Sequence, residues 1–394
     1  MEYIVIGISN SSDYLLPDEV RQLLPAHKVF SGGKRHYELV KKHLPEHHQW
    51  IEIKGDMPVL FDKFRQHDGP IVVFASGDPL FYGFAGTVQK FDPAADIKVY
   101  PYFNSIQLLC HANNLSYASL VNVSVHGRAW NELDNALIAQ AQMIGVLTDQ
   151  QKTPAAIAQR MLEYGFNNYS MIIGEDLEGP HRHTIAFELG EVTAYEAHPL
   201  NCVLLIRKYR EAFSHGIADD SFFGLENRPN MITKMPVRLT SLSRLGLAER
   251  TVLWDIGFCT GSVSVEARRQ YPHLQVIAFE QRRECGELLD RNMRKHATPG
   301  ITSVIGDFFE ADLQNYPLPD AVFIGGHGNR LEELIARLHE CLLPHGRIVL
   351  NAVKEDSSSR FIETVKTLGY ELLTPVTMQV DEHNPITILT AEKR

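Results

Sequence analysis

The segment Asp255-Ile256-Gly257-Phe258-Cys259-Thr260-Gly261 follows the strand-like run Val252-Leu253-Trp254 and opens a helical stretch near Val263. Its glycines permit a tight turn and a close backbone approach, and the helix N-terminus beyond it offers free N–H groups. Glu280 stands at the end of the next strand-like run, where an acid can accept both hydroxyls of a ribose. Asp307, just past the third strand in Gly306-Asp307-Phe308, is placed to reach an adenine edge, and Phe308 can stack on the base. Loop, acid and second acid, each at its own strand end and in order, form a far more specific set than a lone glycine loop. There is no GxGxxG, so an adenosyl ligand fits better than a dinucleotide, and the set points to S-adenosylmethionine. After the fourth strand, Gly325-Gly326-His327-Gly328-Asn329 leaves room for a bulky methyl acceptor. His327 can act there as an acid or base, or be an ordinary surface-loop histidine. Asn351 closes the fifth strand and can orient the acceptor. Cys259 reads as a packing residue rather than a nucleophile; if its position needs positive φ, the side chain costs about 1–2 kcal/mol.

A second, unlike loop lies in the first half. Ser76-Gly77-Asp78-Pro79-Leu80-Phe81-Tyr82-Gly83 follows the apolar run Ile71-Val72-Val73-Phe74. It lacks the Lys-Ser/Thr and the GxxxxGK spacing of a P-loop. Pro79 fixes a turn, Gly77 relaxes it, and Asp78 is presented at a strand end. Two such loops in unlike surroundings suggest two active sites rather than one site duplicated.

The elements that must position them differ between the halves. In the first, strand-like runs at 3–8, 28–31, 71–75 and 97–100 alternate with helical ones at 17–25, 36–44 and 83–91. A second group follows: helix 105–114, strand 119–125, helix 131–142, strand 143–147, helix 154–165, strand 169–173, and a closing pair near 184–195 and 201–207. Two α/β lobes, about 1–103 and 104–209, are expected to flank a cleft. From Arg210 to Asn230 the chain mixes charge, Gly and Pro without a period; the linker is placed at 210–224, between domains 1–209 and 225–394. The second half reads as five βα units closed by a β-hairpin. That is a doubly wound, Rossmann-like sheet of seven strands whose last strand runs antiparallel, with ligands at the carboxyl ends of its strands.

Composition narrows the classes. A chain of 394 residues, 44% hydrophobic and 22% charged, is an α/β enzyme-like molecule of two domains. A formal net charge of −10 disfavours a broad nucleic-acid footprint. No apolar run is long enough to span a bilayer, and Met1 to Gly7 reads as a first strand rather than a signal peptide. The five cysteines include no CxxC pair, which argues for a reducing compartment and against a metal site. A cytoplasmic chain is expected.

Ser76 to Gly83 resembles the cofactor loop of the tetrapyrrole methylases of corrin and siroheme synthesis. Gly32-Gly33-Lys34-Arg35-His36, His126-Gly127-Arg128, Leu147-Thr148-Asp149, Thr153 to Ala158 and Pro199-Leu200-Asn201 are similar to further motifs of that family's C-5-methylating member. The second half, from about Gly224, resembles the partner enzyme that methylates C-15 and decarboxylates an acetate side chain. The stretches that match are Ile232-Thr233-Lys234, Asp255 to Glu266, Gly306-Asp307, Asp320 to Gly326 and Leu350 to Val353. The order is that of the fused enzymes. The chain departs from the usual motifs at Gly7-Ile8-Ser9-Asn10-Ser11 (GxGPG), Pro101-Tyr102-Phe103-Asn104-Ser105 (PG[IV]SS) and Gly257 to Gly261 (GxGTG). The resemblance implies S-adenosylmethionine as cofactor, a precorrin-type tetrapyrrole as substrate, and a homo-oligomer. It carries cofactor contacts onto Gly77, Asp78, Pro79, Leu80, Phe81, Ser105 and Leu147, and onto Thr233, Asp255, Gly257 to Gly261, Glu280, Asp307 and Phe308. The macrocycle's carboxylates would be met by Arg35, Arg128, Lys234 and Arg238. Two other readings remain: a nucleic-acid methyltransferase with an N-terminal recognition domain, and a partly degenerate S-adenosylmethionine-binding scaffold with one active domain.

Overall fold

Glu2–Ile8 is buried along all but its first residue, as a central strand covered on both faces must be. In this computed structural model, which describes residues 1–394 apart from positions 12, 13, 213, 227, 229, 230 and 383, it is β1. With β2 (Val29–Gly32), β3 (Gln49–Glu52), β4 (Ile71–Ser76) and β5 (Asp96–Tyr100) it forms a parallel sheet in the order β3-β2-β4-β1-β5. Strand alternation sends Tyr3 and Val5 to one face, among Phe61, Phe64 and Val88, and Ile4 and Ile6 to the other, among Phe30 and Phe74. β3 and the helix Met57–Phe64 were not expected from the sequence; Trp50-Ile51 is too short an apolar run to stand out between polar neighbours.

A second sheet comprises β6 (Leu120–Ser124), β7 (Met143–Leu147), β8 (Tyr169–Glu175), β9 (His183–Glu188) and β10 (Asn201–Arg207), in the order β6-β7-β10-β8-β9. Only β6 and β7 pair in parallel; the remaining pairings are antiparallel.

The chain packs as two compact units. The first holds residues 1–128, 142–158 and 169–208, and the second 129–141, 159–168 and 209–394. Segments 129–141 and 159–168, which the sequence reading put with the first domain, therefore belong to the second unit. There buried Asp134 accepts two hydrogen bonds from Arg160, at 2.8 and 2.7 Å. The stretch expected to be a linker is also anchored: Ile217 and Phe222 are buried, and Glu266 accepts the N–H groups of Gly216 and Ile217.

The second unit is built on β11 (Val252–Ile256), β12 (Gln275–Glu280), β13 (Ile301–Ile305), β14 (Ala321–Ile324), β15 (Arg347–Ala352), β16 (Glu371–Met378) and β17 (Ile386–Glu392). The order is β13-β12-β11-β14-β15-β17-β16, parallel from β13 to β15, with β17 inserted antiparallel between β15 and β16. The seven-stranded Rossmann-like sheet with a closing antiparallel hairpin is thus present. Of the five expected βα units four have their helix; β13 is followed by the 3₁₀ turn Leu313–Asn315 instead. An additional helix, Met235–Leu245, packs on β15 and β17. At the core Phe279 meets Phe308 edge to face, with centroids 5.0 Å apart, and Trp254 packs tilted on Phe279 at 5.1 Å. Among the described residues no helix is long and apolar enough to cross a membrane.

Candidate active sites

The carboxyl ends of β11, β12, β13 and β14 converge on a cavity of ≈ 350 Å³. Such a volume lies within the usual range for a small-molecule site, about 300–1,000 Å³. Gly257, Glu280, Asp307, Phe308 and His327, all singled out from the sequence, line it together. Gly257 has φ +75°, and a Cβ there would stand 2.8 Å from the backbone N of Gly326, so two loop backbones meet where only glycine fits. Cys259 does adopt positive φ, +52°, which meets the condition attached to it above. Its N–H donates to Glu280 Oε2 at 3.1 Å. Burial pushes the Glu280 carboxyl up, but hydrogen bonds from Arg282 outweigh it and hold it below the usual range, so the site presents a carboxylate. Asp307 Oδ1 accepts the Phe309 N–H at 2.9 Å, and Arg330 lies 3.4 Å from its Oδ2.

Other residues of this set support the cavity without lining it. Asp255 is fully buried, its Oδ2 accepting from Ser264 Oγ at 2.6 Å while Oδ1 has no partner; burial pushes its pKa up to about 7. Thr260 is buried with its carbonyl held by Asn292, Phe258 is buried, and Gly261 (φ +73°) starts the helix Ser262–Gln270. Thr233 gives its carbonyl to Arg238, and Lys234 precedes the helix Met235–Leu245. Arg238 corrects an expectation. It is fully buried, paired with Glu266 and Asp219 and bonded to the carbonyls of Ile217 and Thr233, so it has no face for an external carboxylate. His327 has a buried Nδ1 without a partner, and burial, then the charge of Arg360, lowers its pKa. Asn351 accepts from Ser241 Oγ at 2.9 Å and keeps a buried, unpartnered Nδ2.

In the first unit, scattered motifs meet. His36 Nε2 lies 2.8 Å from Ser76 Oγ, which donates to Asn10 Oδ1 at 3.4 Å, while Arg35 donates to the Asn10 carbonyl. Gly77 (φ +66°) packs on the backbone of Asn104 beside Ser105, the first residue of the helix Ser105–Ala112. Asp78 Oδ1 closes a turn onto Leu80 N–H at 2.9 Å, and the Phe81 N–H donates to the Asp78 carbonyl. A Cβ at Gly83 would lie 2.5 Å from the Pro79 carbonyl oxygen. The Arg128 guanidinium lies 5.0 Å over the Tyr82 ring. Leu147 ends β7, and Thr148 beyond it donates to Asn201. A separate cavity of ≈ 710 Å³ opens beside the β1 loop, lined among others by Ser9, Tyr14, Tyr102, His111, Glu178 and Arg182. Glu178 fastens the two sheets' loops together, accepting from Ser9 Oγ at 2.5 Å and Asn10 N at 3.0 Å.

Residues 226–393 match the model of a precorrin methyltransferase domain. Over 374 residues the chain is 31% identical to the precorrin-6Y C(5,15)-methyltransferase [decarboxylating] of a Sinorhizobium species, covering 94% of this chain and 89% of that one. The chain belongs to the precorrin-6Y C(5,15)-methyltransferase (decarboxylating) family. It is also 34% identical over 168 residues to the cobalt-precorrin-6B C(15)-methyltransferase (decarboxylating) of Salmonella typhimurium, across 43% of this chain and 85% of that one. A solved precorrin-6y C5,15-methyltransferase from Geobacter metallireducens is 35% identical, covers 45% of this chain and 97% of its own, and has a TM-score of 0.42.

In this member of the family, sequence reasoning missed several cavity residues. Arg282 and Arg330 in the second unit, and Tyr14, Tyr102, His111, Glu178 and Arg182 in the first, come together only through tertiary structure. Position could have found Arg282: it stands two residues past the acid that ends β12.

Proposed function

We propose that the chain is a bifunctional S-adenosylmethionine-dependent methyltransferase of corrin ring synthesis. It would methylate C-5 and C-15 of a precorrin-6 macrocycle, or of its cobalt form, and decarboxylate the ring C acetate. The observation that carries this reading is family membership spanning both units, combined with a separate cavity in each. In the second unit Glu280 would accept the ribose hydroxyls, Phe308 would form the apolar wall, and Asp307 would meet the adenine edge. In the first, Gly77 to Phe81, Ser105 and Leu147 would hold the cofactor, and the cavity beside the β1 loop would take the macrocycle.

The cofactor supplies an electrophilic methyl group on a sulfonium. The protein's task is therefore alignment and exclusion of water, which at best contributes about 7–11 kcal/mol. Gly326 and Gly328 flank His327 in the cavity lining and add no side chain of their own, which leaves room for a large ring to approach. Arg35, Arg128 and Lys234 would meet carboxylates of the macrocycle. The neutral imidazole of His327 and the unpartnered Nδ2 of Asn351 would orient the acetate side chain. Its carboxylate leaves as CO₂, the electron pair of the broken C–C bond passes into the conjugated ring, and a proton from solvent converts the retained CH₂ to a methyl group. Mass spectrometry of the product from a precorrin-6 substrate tests the reading: two methyl groups gained and one CO₂ lost are expected. A product with a single added methyl and its carboxylate intact would favour one active domain beside a silent one.

A further inference from the structure

The Glu280 carboxylate offers about four lone-pair positions, and all four are taken. Oε1 accepts from the N–H and the Nε of Arg282 at 3.1 and 3.0 Å. Oε2 accepts from the N–H of Cys259 and the Nη2 of Arg282 at 3.1 and 2.8 Å. A ribose diol brings two donors to a carboxylate with no acceptor position left. The four occupants are unequal. Two are backbone N–H groups fixed by the glycine loop and the end of β12. The other two belong to one guanidinium whose side chain is 29% exposed, against 2% for Glu280. Beyond Glu280, Arg282 hydrogen-bonds among the described residues to the thioether of Met231, a weak acceptor. The neighbouring cation, Arg330, is committed elsewhere, paired with Glu333 and Asp307 and lying 3.5 Å over the Phe309 ring.

We propose that Arg282 is a displaceable occupant of the ribose site, which S-adenosylmethionine evicts and which then receives a carboxylate of the macrocycle at the cavity mouth. The proposal rests on the reading of Glu280 as the ribose acceptor. Arg282 lines the same cavity as Gly326, His327 and Gly328, so once released it remains within the cavity that the acceptor must enter. An unpaired guanidinium in a half-closed cavity is costly, and a polycarboxylate macrocycle supplies the missing anion with fork geometry. The cofactor thus binds first and prepares the place for the second substrate.

Calorimetric titration of the full chain at pH 8 with S-adenosylhomocysteine, together with the KM for the macrocycle, tests this. Glu280→Gln should remove one of two binding steps and so identify the step that belongs to this cavity. Arg282→Ala keeps both backbone donors on Glu280. It should tighten that same step roughly tenfold, the scale of one lost charge-assisted competitor, while raising the macrocycle KM by a similar factor. Arg282→Lys, which keeps the charge without the fork, should fall between. A residue with a merely structural role would not move the two constants in opposite directions. A weaker cofactor step in Arg282→Ala would mean that the guanidinium grips the cofactor's own carboxylate, and would overturn the proposal, as would an unchanged one. If Glu280→Gln removes neither step, the reading of the site falls first and the inference with it.

Discussion

Cys259, at φ +52° between Gly257 and Gly261 at +75° and +73°, is the one member of its turn carrying a side chain in the left-handed region. Its Sγ donates to the Met231 carbonyl at 3.2 Å, and it is 9% exposed, so packing partly offsets backbone strain. Cys259→Gly should relieve about 1–2 kcal/mol of strain and lose a similar amount of burial and chain entropy. Its thermal midpoint should therefore stay close to wild type. Cys259→Val, whose branched Cβ tolerates positive φ worst, should cost about 2 kcal/mol or more, read as a lowered urea midpoint at unchanged m. At this scale the second site was largely legible. Gly257, Glu280, Asp307, Phe308 and His327 sit at successive strand ends, and a fixed strand order brings strand ends together. Arg238 was not legible. Its partners Glu266 and Asp219 lie on other elements, and nothing local distinguishes an arginine with buried partners from a solvated one.

Among elements, β1 in the first unit runs close against the loop after β4. A Cβ at Gly7 would stand 2.1 Å from the Gly77 carbonyl oxygen and 2.7 Å from the Tyr102 N. Both are backbone atoms with no side chain to yield. Gly7→Ala should lower C-5 methylation by roughly a hundredfold, through displacement of the loop at 76–83, and leave C-15 methylation within about twofold. Separate assay of the two methylations checks this. In the second unit His296 follows the helix Glu284–Lys295, with its ring 4.6 Å from Phe222 and its Nε2 without a partner. Burial, then the charges of Arg269 and Lys295, lowers its pKa from 6.5 to about 4. The unfolded chain then takes up a proton that the folded chain refuses, so stability is full above about pH 6.5 and falls as pH drops towards 4. After solvent screening the loss is on the order of 2 kcal/mol. Denaturant titrations of wild type and His296→Gln across that window should show a smaller fall in the variant, by about that amount. Strand β7 was read to the residue, because the short apolar run Met143–Leu147 is bounded by polar residues on both sides. The helix Met235–Leu245 was missed, since Thr240, Ser241 and Ser243 dilute its apolar spacing.

For the whole molecule, an acidic chain of net charge −10 must bind a polyanion by placing a few cations at cavity mouths, because its overall field repels the ligand. Two-unit organisation could be read from unlike loop chemistry, but the assignment of 129–141 and 159–168 to the second unit could not. The first carries the helix Asn131–Ile138 and the second the end of the helix Pro154–Glu163, and the sequence says only that each buries apolar residues, not which unit it joins. The central claim is that each unit holds its own methyl donor. Equilibrium titration of the intact chain with S-adenosylhomocysteine measures this most directly. Two molecules bound per chain, one step abolished by Glu280→Gln and the other untouched by it, is the predicted result; saturation at one molecule per chain would contradict the account.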